Sequence, residues 1–137
     1  MKHATRISLF LLLGITLTSG CSSQPLVAHQ EEPIIEVRVY QVAEGKMDAW
    51  ERFFHDRLVE PQEEAGMKVL TAYRTLGDEN LFVWSRQFSS QANMPKERAA
   101  FYQSDLWKKT LLPELKEKGF IEKVQIVYTV RPSKAGK

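Results

Sequence analysis

Cysteine and histidine are scarce in this chain of 137 residues, which contains one cysteine and three histidines. A single cysteine cannot form an intrachain disulfide or a thiolate metal site, so the fold must be stabilised by packing alone. His3 and His29 lie close to the N-terminus, which leaves His55 as the only histidine in the rest of the chain. The sequence also shows no Ser-His-Asp set, no cluster of metal ligands and no glycine-rich phosphate loop. We therefore expect neither a metal ion nor a cofactor.

The N-terminus has the composition of a secretory signal. Lys2 and Arg6 precede an apolar run over residues 7–17, which is shorter than the about 20 residues of a membrane-spanning helix. The run ends in small residues directly before Cys21, the only cysteine of the chain. This pattern indicates a segment that is removed during export.

Residues 17–21, Leu-Thr-Ser-Gly-Cys, resemble the lipobox of bacterial lipoproteins, with Thr18 where that motif usually has leucine. The resemblance implies a signal peptide over residues 1–20 and a mature chain that begins at Cys21, acylated with palmitate-type chains. The serines that follow Cys21 resemble the sorting signal for the outer membrane of a Gram-negative cell. We therefore expect a lipid-anchored protein of the bacterial cell envelope, on the outer membrane and facing the periplasm. The alternative is an ordinary secretory signal followed by an unmodified cysteine.

The charge balance excludes one class of partner. Cleavage of residues 1–20 removes Lys2 and Arg6 from the 19 basic residues and none of the 17 acidic residues, so the two signs become equal. A protein without a basic surface excess lacks the electrostatic footprint of a nucleic-acid binder. Attachment to the lipid bilayer would therefore depend on the acyl chains of Cys21 rather than on charge.

The periodicity of the remaining sequence predicts one domain over residues 34–132. A tether over residues 21–33 precedes it, and a frayed tail over residues 133–137 follows it. Alternating apolar and polar residues predict strands, and apolar residues spaced three or four apart predict helices. The predicted strands cover 34–42, 69–76, 81–88 and 121–130, and the predicted helices cover 46–60, 96–102 and a segment from about 104 to 119.

The predicted order, β-α-β-β-α-β, is that of an α+β ferredoxin-like fold with a four-stranded antiparallel sheet and helices on one face. Pro61 is expected to end the first helix, and Pro113 is expected to kink or end the last one. The helices cover one face of the sheet and leave the other open. Both faces carry large apolar residues, with Val39 on one face and Tyr40 on the opposite one. We therefore expect a homodimer in which two sheets pack face to face.

The order of several motifs resembles the NIPSNAP domain. The motifs are the first strand Ile35-Glu36-Val37-Arg38-Val39-Tyr40, the turn Gly45-Lys46, Trp50, Phe54, Pro61, Gly66, the strand Val83-Trp84-Ser85-Arg86-Gln87-Phe88, Arg98, and Trp107 after Ser104. The resemblance implies the dimeric α/β-barrel form of the ferredoxin-like fold. Relatives with this fold include cofactor-independent monooxygenases and haem-binding or haem-degrading proteins, although a shared fold does not establish a shared function.

Six residues are candidates for lining a ligand pocket: Arg38, Tyr40, Trp50, His55, Trp84 and Arg86. The two arginines lie on neighbouring strands and form either a clamp for an anion or a buried ion-pair network with Glu36. His55 is either a haem ligand or base, or a hydrogen-bonded residue on the flank of a helix. The tryptophans and tyrosines, including Tyr73 and Tyr128, form an aromatic interior that either stacks on a flat ligand or packs the core.

Two functions follow from these residues. The first is a non-catalytic module that binds a small molecule or another protein. The alternative is a cofactor-independent monooxygenase-like enzyme that acts on a hydrophobic aromatic substrate near Arg38, Tyr40, Trp84 and Arg86. A space between helices and sheet filled by Trp50 and Trp84 favours the module, whereas an open cavity of ligand size favours the enzyme.

Overall fold

A computed structural model describes residues 32–133 of the chain. The predicted signal peptide, Cys21, the tether as far as residue 31 and residues 134–137 lie outside the described residues. Within residues 32–133, no helix is both long enough and apolar enough to cross a membrane.

Four antiparallel strands form a single sheet in the order β2-β3-β1-β4, as the ferredoxin-like prediction requires. The strands are β1 (Ile34–Val42), β2 (Lys68–Arg74), β3 (Leu81–Phe88) and β4 (Ile121–Val130). The bounds of β1, β3 and β4 agree with the predicted ones. Strand β2 ends two residues early because the turn to β3 already begins at Thr75, whose amide N–H donates to the Leu81 carbonyl at 3.1 Å.

The first helical unit continues beyond Pro61, where the sequence predicted its end. It consists of α1 (Met47–Phe53), a π-helical segment π1 (Phe54–Leu58) and α2 (Val59–Glu64). The Val59 amide N–H donates to the Phe54 carbonyl, five residues back, as a π-turn requires. Proline is tolerated here because the helical ladder changes its spacing just before it, where a missing N–H disrupts little.

The second helical unit is divided by a turn at residues 103–104. The helix α3 (Met94–Tyr102) lies before the turn, and a π-helical segment π2 (Trp107–Leu111) that continues into α4 (Leu112–Lys118) lies after it. Ser104 caps the helix after the turn, because its hydroxyl accepts a hydrogen bond from the Trp107 N–H at 3.1 Å. Pro113 follows π2 without ending the helix, and the helix ends at Gly119, which has a left-handed φ of 55°.

The core lies between these helices and one face of the sheet. Trp50 and Phe54 of the first helical unit pack against Phe82 and Trp84 of β3, with ring centroids 5.1–5.7 Å apart. The opposite sheet face is uncovered. Tyr73 (63% exposed) and Tyr128 (59% exposed) lie on that face, so their predicted place in an aromatic interior is wrong.

Candidate functional site

A buried carboxylate, Glu36, collects the charges of three arginines on the helix-covered face of the sheet. Its Oε1 accepts hydrogen bonds from Arg38 Nη1 at 3.0 Å and from Arg86 Nε and Nη2 at 3.1 and 2.8 Å. Its Oε2 accepts a further bond from Arg98 Nη2. Register explains this convergence, because Glu36 pairs directly with Arg86 on β3, and Arg38 lies two residues further along the same face of β1. Arg38 and Arg86 therefore belong to an ion-pair network with Glu36. An anion clamp, the other alternative, would be part of this same network.

Arg86 is fully buried and gains a second partner from the first helical unit. Its Nη1 donates to Gln62 Oε1 at 2.8 Å, and Gln62 Nε2 donates to the Leu58 carbonyl at 2.9 Å. Both ends of the Gln62 amide are therefore used, which ties α2 to the sheet. Burial lowers the pKa of Arg86, and the nearby Tyr102 counteracts that effect. The two bonds from Arg86 to Glu36 keep the guanidinium protonated, as arginine is in proteins generally.

Aromatic rings enclose the guanidinium groups. The Arg38 Cζ lies 5.4 Å from the ring centroid of Tyr40 and 5.5 Å from that of Trp84. The Arg86 Cζ lies 5.5 Å from the rings of both Trp84 and Tyr102. Cation–π attraction of this kind holds each guanidinium in a fixed plane.

An open cavity of about 520 Å³ lies between the two helical units and the sheet, which is within the range of small-molecule sites. Its lining is mainly aromatic and aliphatic, and it consists of Arg38, Tyr40, Trp50, Phe54, Leu58, Gln62, Trp84, Phe101, Tyr102, Trp107, Leu115, Lys116, Gly119, Ile121 and Val124. Both π-helical segments border the cavity, through Phe54 and Leu58 of π1 and Trp107 of π2. Irregular turns of this kind are frequent at functional sites.

The cavity is electrostatically one-sided. Among the described residues that line it, two are cationic, Arg38 and Lys116, and none is acidic. Burial raises the pKa of Tyr40, and the positive charge of Arg38 partly offsets the increase. The Tyr40 hydroxyl is therefore neutral at physiological pH, and the net charge presented to a ligand is positive.

The predicted site residues separate into three groups. Arg38, Tyr40, Trp50 and Trp84 line the cavity, and Arg86 lies behind them in contact with Glu36. The structure places His55 on the exposed side of π1, with its ring edge-on to Phe54, outside the cavity lining. Among residues 32–133, no group of three or more metal-ligating side chains occurs.

Sequence reasoning missed Gln62 and Lys116 as site residues. Gln62 follows Pro61, beyond the predicted end of its helix, although it lies four residues after the apolar Leu58 and so on the same helical face. Lys116 carried no signal, because it lies in an ordinary run of charged residues on α4. Arg98 entered only through the family resemblance.

A four-stranded antiparallel sheet with helices over one face and a cavity between them defines a ferredoxin-like α+β domain with a ligand-sized site. The model of the NIPSNAP family matches residues 35–134. The chain therefore belongs to the NIPSNAP family, which confirms the resemblance seen in its motifs.

Solved structures with this fold include several NIPSNAP proteins. A NIPSNAP family protein of unknown function from Agrobacterium tumefaciens is 21% identical, with a TM-score of 0.66 over 79% of this chain and 95% of that one. An uncharacterised NIPSNAP-like domain protein from Burkholderia xenovorans is 14% identical, with a TM-score of 0.66 over 78% and 90%. A putative antibiotic biosynthesis monooxygenase from Chloroflexus aurantiacus is 11% identical, with a TM-score of 0.54 over 77% and 97%. These likenesses show the shared fold alone, and no curated protein matches the chain.

Proposed function

We propose that this protein is a binding module that holds a small molecule in the cavity between its helices and its sheet. The observation that carries the proposal is the cavity itself, about 520 Å³ of open space beside a tightly packed aromatic core. Protein interiors are normally packed without such voids. Trp50 and Trp84 are buried, yet they form part of the wall and leave the space open.

The test is mass spectrometry of small molecules that remain bound to the full chain through native purification. Val124→Trp should block the cavity and abolish the bound species, because Val124 lines the cavity and is 45% exposed on β4. Leu70→Trp is the matched control, since Leu70 is 38% exposed on β2, at the other edge of the sheet, and does not line the cavity. A wild-type protein that carries nothing, or a Val124→Trp protein that still carries the same species, would contradict the proposal.

The open cavity is the outcome that we expected to favour the monooxygenase-like enzyme, since Trp50 and Trp84 do not fill the space. Binding is still proposed first because it needs only the cavity. An enzyme also needs a general base, and the cavity lining among the described residues has no histidine or carboxylate for that role. The likeness to the Chloroflexus protein concerns the fold alone. Oxygen consumption with the co-purified molecule, absent in Val124→Trp, would favour the enzyme over the module.

We also propose that Cys21 is acylated and anchors the module to the cell envelope, as the lipobox-like residues 17–21 predict. Acyl chains contribute about 0.8 kcal/mol per buried methylene, so more than one chain gives stable attachment. Growth with radioactive palmitate should label the wild-type protein and leave Cys21→Ser unlabelled. An unlabelled wild type, or a labelled Cys21→Ser protein, would contradict the anchor.

The uncovered sheet face and strand β4 favour a homodimer. Exposed large apolar residues lie on the uncovered face, including Tyr73 on β2 and Tyr128 and Val130 on the edge strand β4. An apolar edge strand invites pairing or aggregation unless a second chain covers it. Light scattering of the detergent-solubilised chain should give a dimer mass, and Tyr128→Glu should give a monomer. Leu106→Glu, an equally drastic change at an exposed apolar residue on a helix, should remain dimeric.

A further inference from the structure

The guanidinium of Arg38 is only partly used by the protein. Its Nη1 donates to Glu36, and this is the one hydrogen bond that the described residues provide for its five N–H groups. Its Nε is buried without an acceptor among those residues. Nη2 has no hydrogen bond to those residues either and, unlike Nε, is not occluded, so a further partner can reach it. Polar groups at this depth are normally hydrogen-bonded, so Nη2 is the donor left for a ligand.

Glu36 cannot neutralise the cluster that it organises. Its single negative charge faces the three guanidinium groups of Arg38, Arg86 and Arg98. Arg86 is enclosed, and Arg38 is the member of the three that lines the cavity. An excess of positive charge therefore lies at the cavity wall, with Lys116 as a second cation in the lining. A site of this kind attracts an anion.

The rest of the lining limits what that anion can be. Aromatic rings of Tyr40, Trp84, Tyr102 and Trp107 surround the space, and aliphatic side chains complete it. A small hydrated anion would leave these rings unoccupied, whereas a flat apolar body fills them. A carboxylate is a strong acceptor for a guanidinium N–H, because a hydrogen bond between charged groups is stronger than one between neutral groups.

The geometry points to an aromatic carboxylate as the ligand class: its carboxylate accepts a charged hydrogen bond from Nη2 of Arg38, and its rings stack in the aromatic part of the cavity. The inference rests on the proposed binding function. The contacts of Arg38 with the rings of Tyr40 and Trp84 orient the guanidinium before the ligand arrives. Pre-orientation of this kind lowers the entropy lost on binding.

Isothermal titration of the full chain in detergent with three probes tests the inference. The probes are 2-naphthoate, the neutral 2-naphthamide and the cationic 2-naphthylmethylammonium, which share one ring system and differ in charge. We expect 2-naphthoate to bind about tenfold or more tightly than 2-naphthamide, since a charged hydrogen bond of this kind is worth that factor. The cationic probe should bind most weakly.

Three variants assign the effect to residues. Arg38→Gln should weaken 2-naphthoate binding about tenfold or more and change 2-naphthamide binding by less than about twofold. The retained amide affinity shows that the variant is folded with its cavity intact. Lys116→Gln should weaken 2-naphthoate less than Arg38→Gln does. Arg52→Gln is the matched control, because Arg52 is exposed on α1 and does not line the cavity.

The possible failures are distinguishable. Equal affinities for the acid and the amide, or an Arg38→Gln variant that binds both as the wild type does, would overturn the carboxylate and leave the binding function standing. Tightest binding of the cation would overturn it as well. No binding of any probe, with no molecule retained through purification, would overturn the binding function and this inference together.

Discussion

The Glu36→Gln variant offers the sharpest test of the charge cluster. The substitution preserves the shape of the side chain but removes the negative charge that, among residues 32–133, Arg38, Arg86 and Arg98 all contact. It also replaces one carboxylate oxygen by an N–H donor that faces guanidinium donors. We therefore expect a large loss of stability, although the substitution replaces only one oxygen by an NH2 group.

The size of the loss follows from burial. Glu36 and Arg86 are both fully buried, whereas Arg38 and Arg98 are 17% and 38% exposed and can be solvated in part. Loss of one partner of a buried ion pair costs about 3–5 kcal/mol, and the remaining amide oxygen of glutamine places the expected value near about 3 kcal/mol. With a urea slope of about 1–3 kcal/mol per molar, the unfolding midpoint should fall by about 1–3 M.

Urea unfolding followed by tryptophan fluorescence measures this change, since Trp50 and Trp84 report on the core around the cluster. Glu51→Gln is the matched control, because Glu51 also bonds an arginine, Arg74, but does so at the surface. Surface pairs contribute little, so this variant should unfold close to the wild type. The reasoning fails if Glu36→Gln loses less than about 1 kcal/mol, or no more than Glu51→Gln.

Three further predictions address other parts of the site. Gln62→Leu should lower the free energy of unfolding by about 2 kcal/mol, because both hydrogen-bond partners of its buried amide lose their bond. Gln125→Leu, at an exposed glutamine, is the control and should leave the free energy of unfolding nearly unchanged. Equal losses for the two variants in urea unfolding would contradict the prediction. Gly119→Ala should lower the free energy of unfolding by about 1 kcal/mol, because Gly119 has a left-handed φ of 55°. Gly77→Ala is the control, because an added Cβ at Gly77 meets no atom within 4 Å. Equal unfolding midpoints for the two variants would refute the strain at Gly119. Burial raises the pKa of Tyr40 above its usual 10.0, so the folded protein holds this proton more tightly than the unfolded chain does. The resulting stability is full below pH 10.0 and is lost as the pH rises through the pKa of the folded protein. Tyr40→Phe should remove one step above pH 10.0 from the tyrosine absorbance titration, and an unchanged titration would disprove the shift.

The strands of this fold were predictable because each has a covered and an uncovered face, which gives a period of two that is interrupted only at register irregularities in the β1–β4 and β2–β3 pairings. The ends of the helices were less predictable from the sequence. Pro61 and Pro113 are usual signs of a helix end, yet each follows a π-helical segment and lies inside a continuing helix. Sequence periodicity cannot reveal a π-turn, because one extra residue in a turn resembles a small break in the apolar stripe.

The site was predictable to the extent that the sheet register determined it. Strand order and alternation place Arg38 and Arg86 close to Glu36, since β1 and β3 pair directly. The choice between anion clamp and ion-pair network was not decidable from sequence, because it depends on how many cations share one carboxylate. That number includes Arg98, which approaches from α3 across 62 residues of chain.

Gln62 links the helical irregularity to the chemistry of the cavity. Because α2 continues through Pro61, the next residue is carried over the sheet, where its amide reaches Arg86 at 2.8 Å and the Leu58 carbonyl of π1 at 2.9 Å. Arg86 is thereby held from both layers and occupies Oε1 of Glu36 with two of its donors. Arg38 shares that same oxygen through Nη1 alone, so its Nη2 stays unpaired, and Arg38 lines the cavity. The proline that indicates a helix end in the sequence is therefore part of the arrangement that leaves Arg38 available to a ligand.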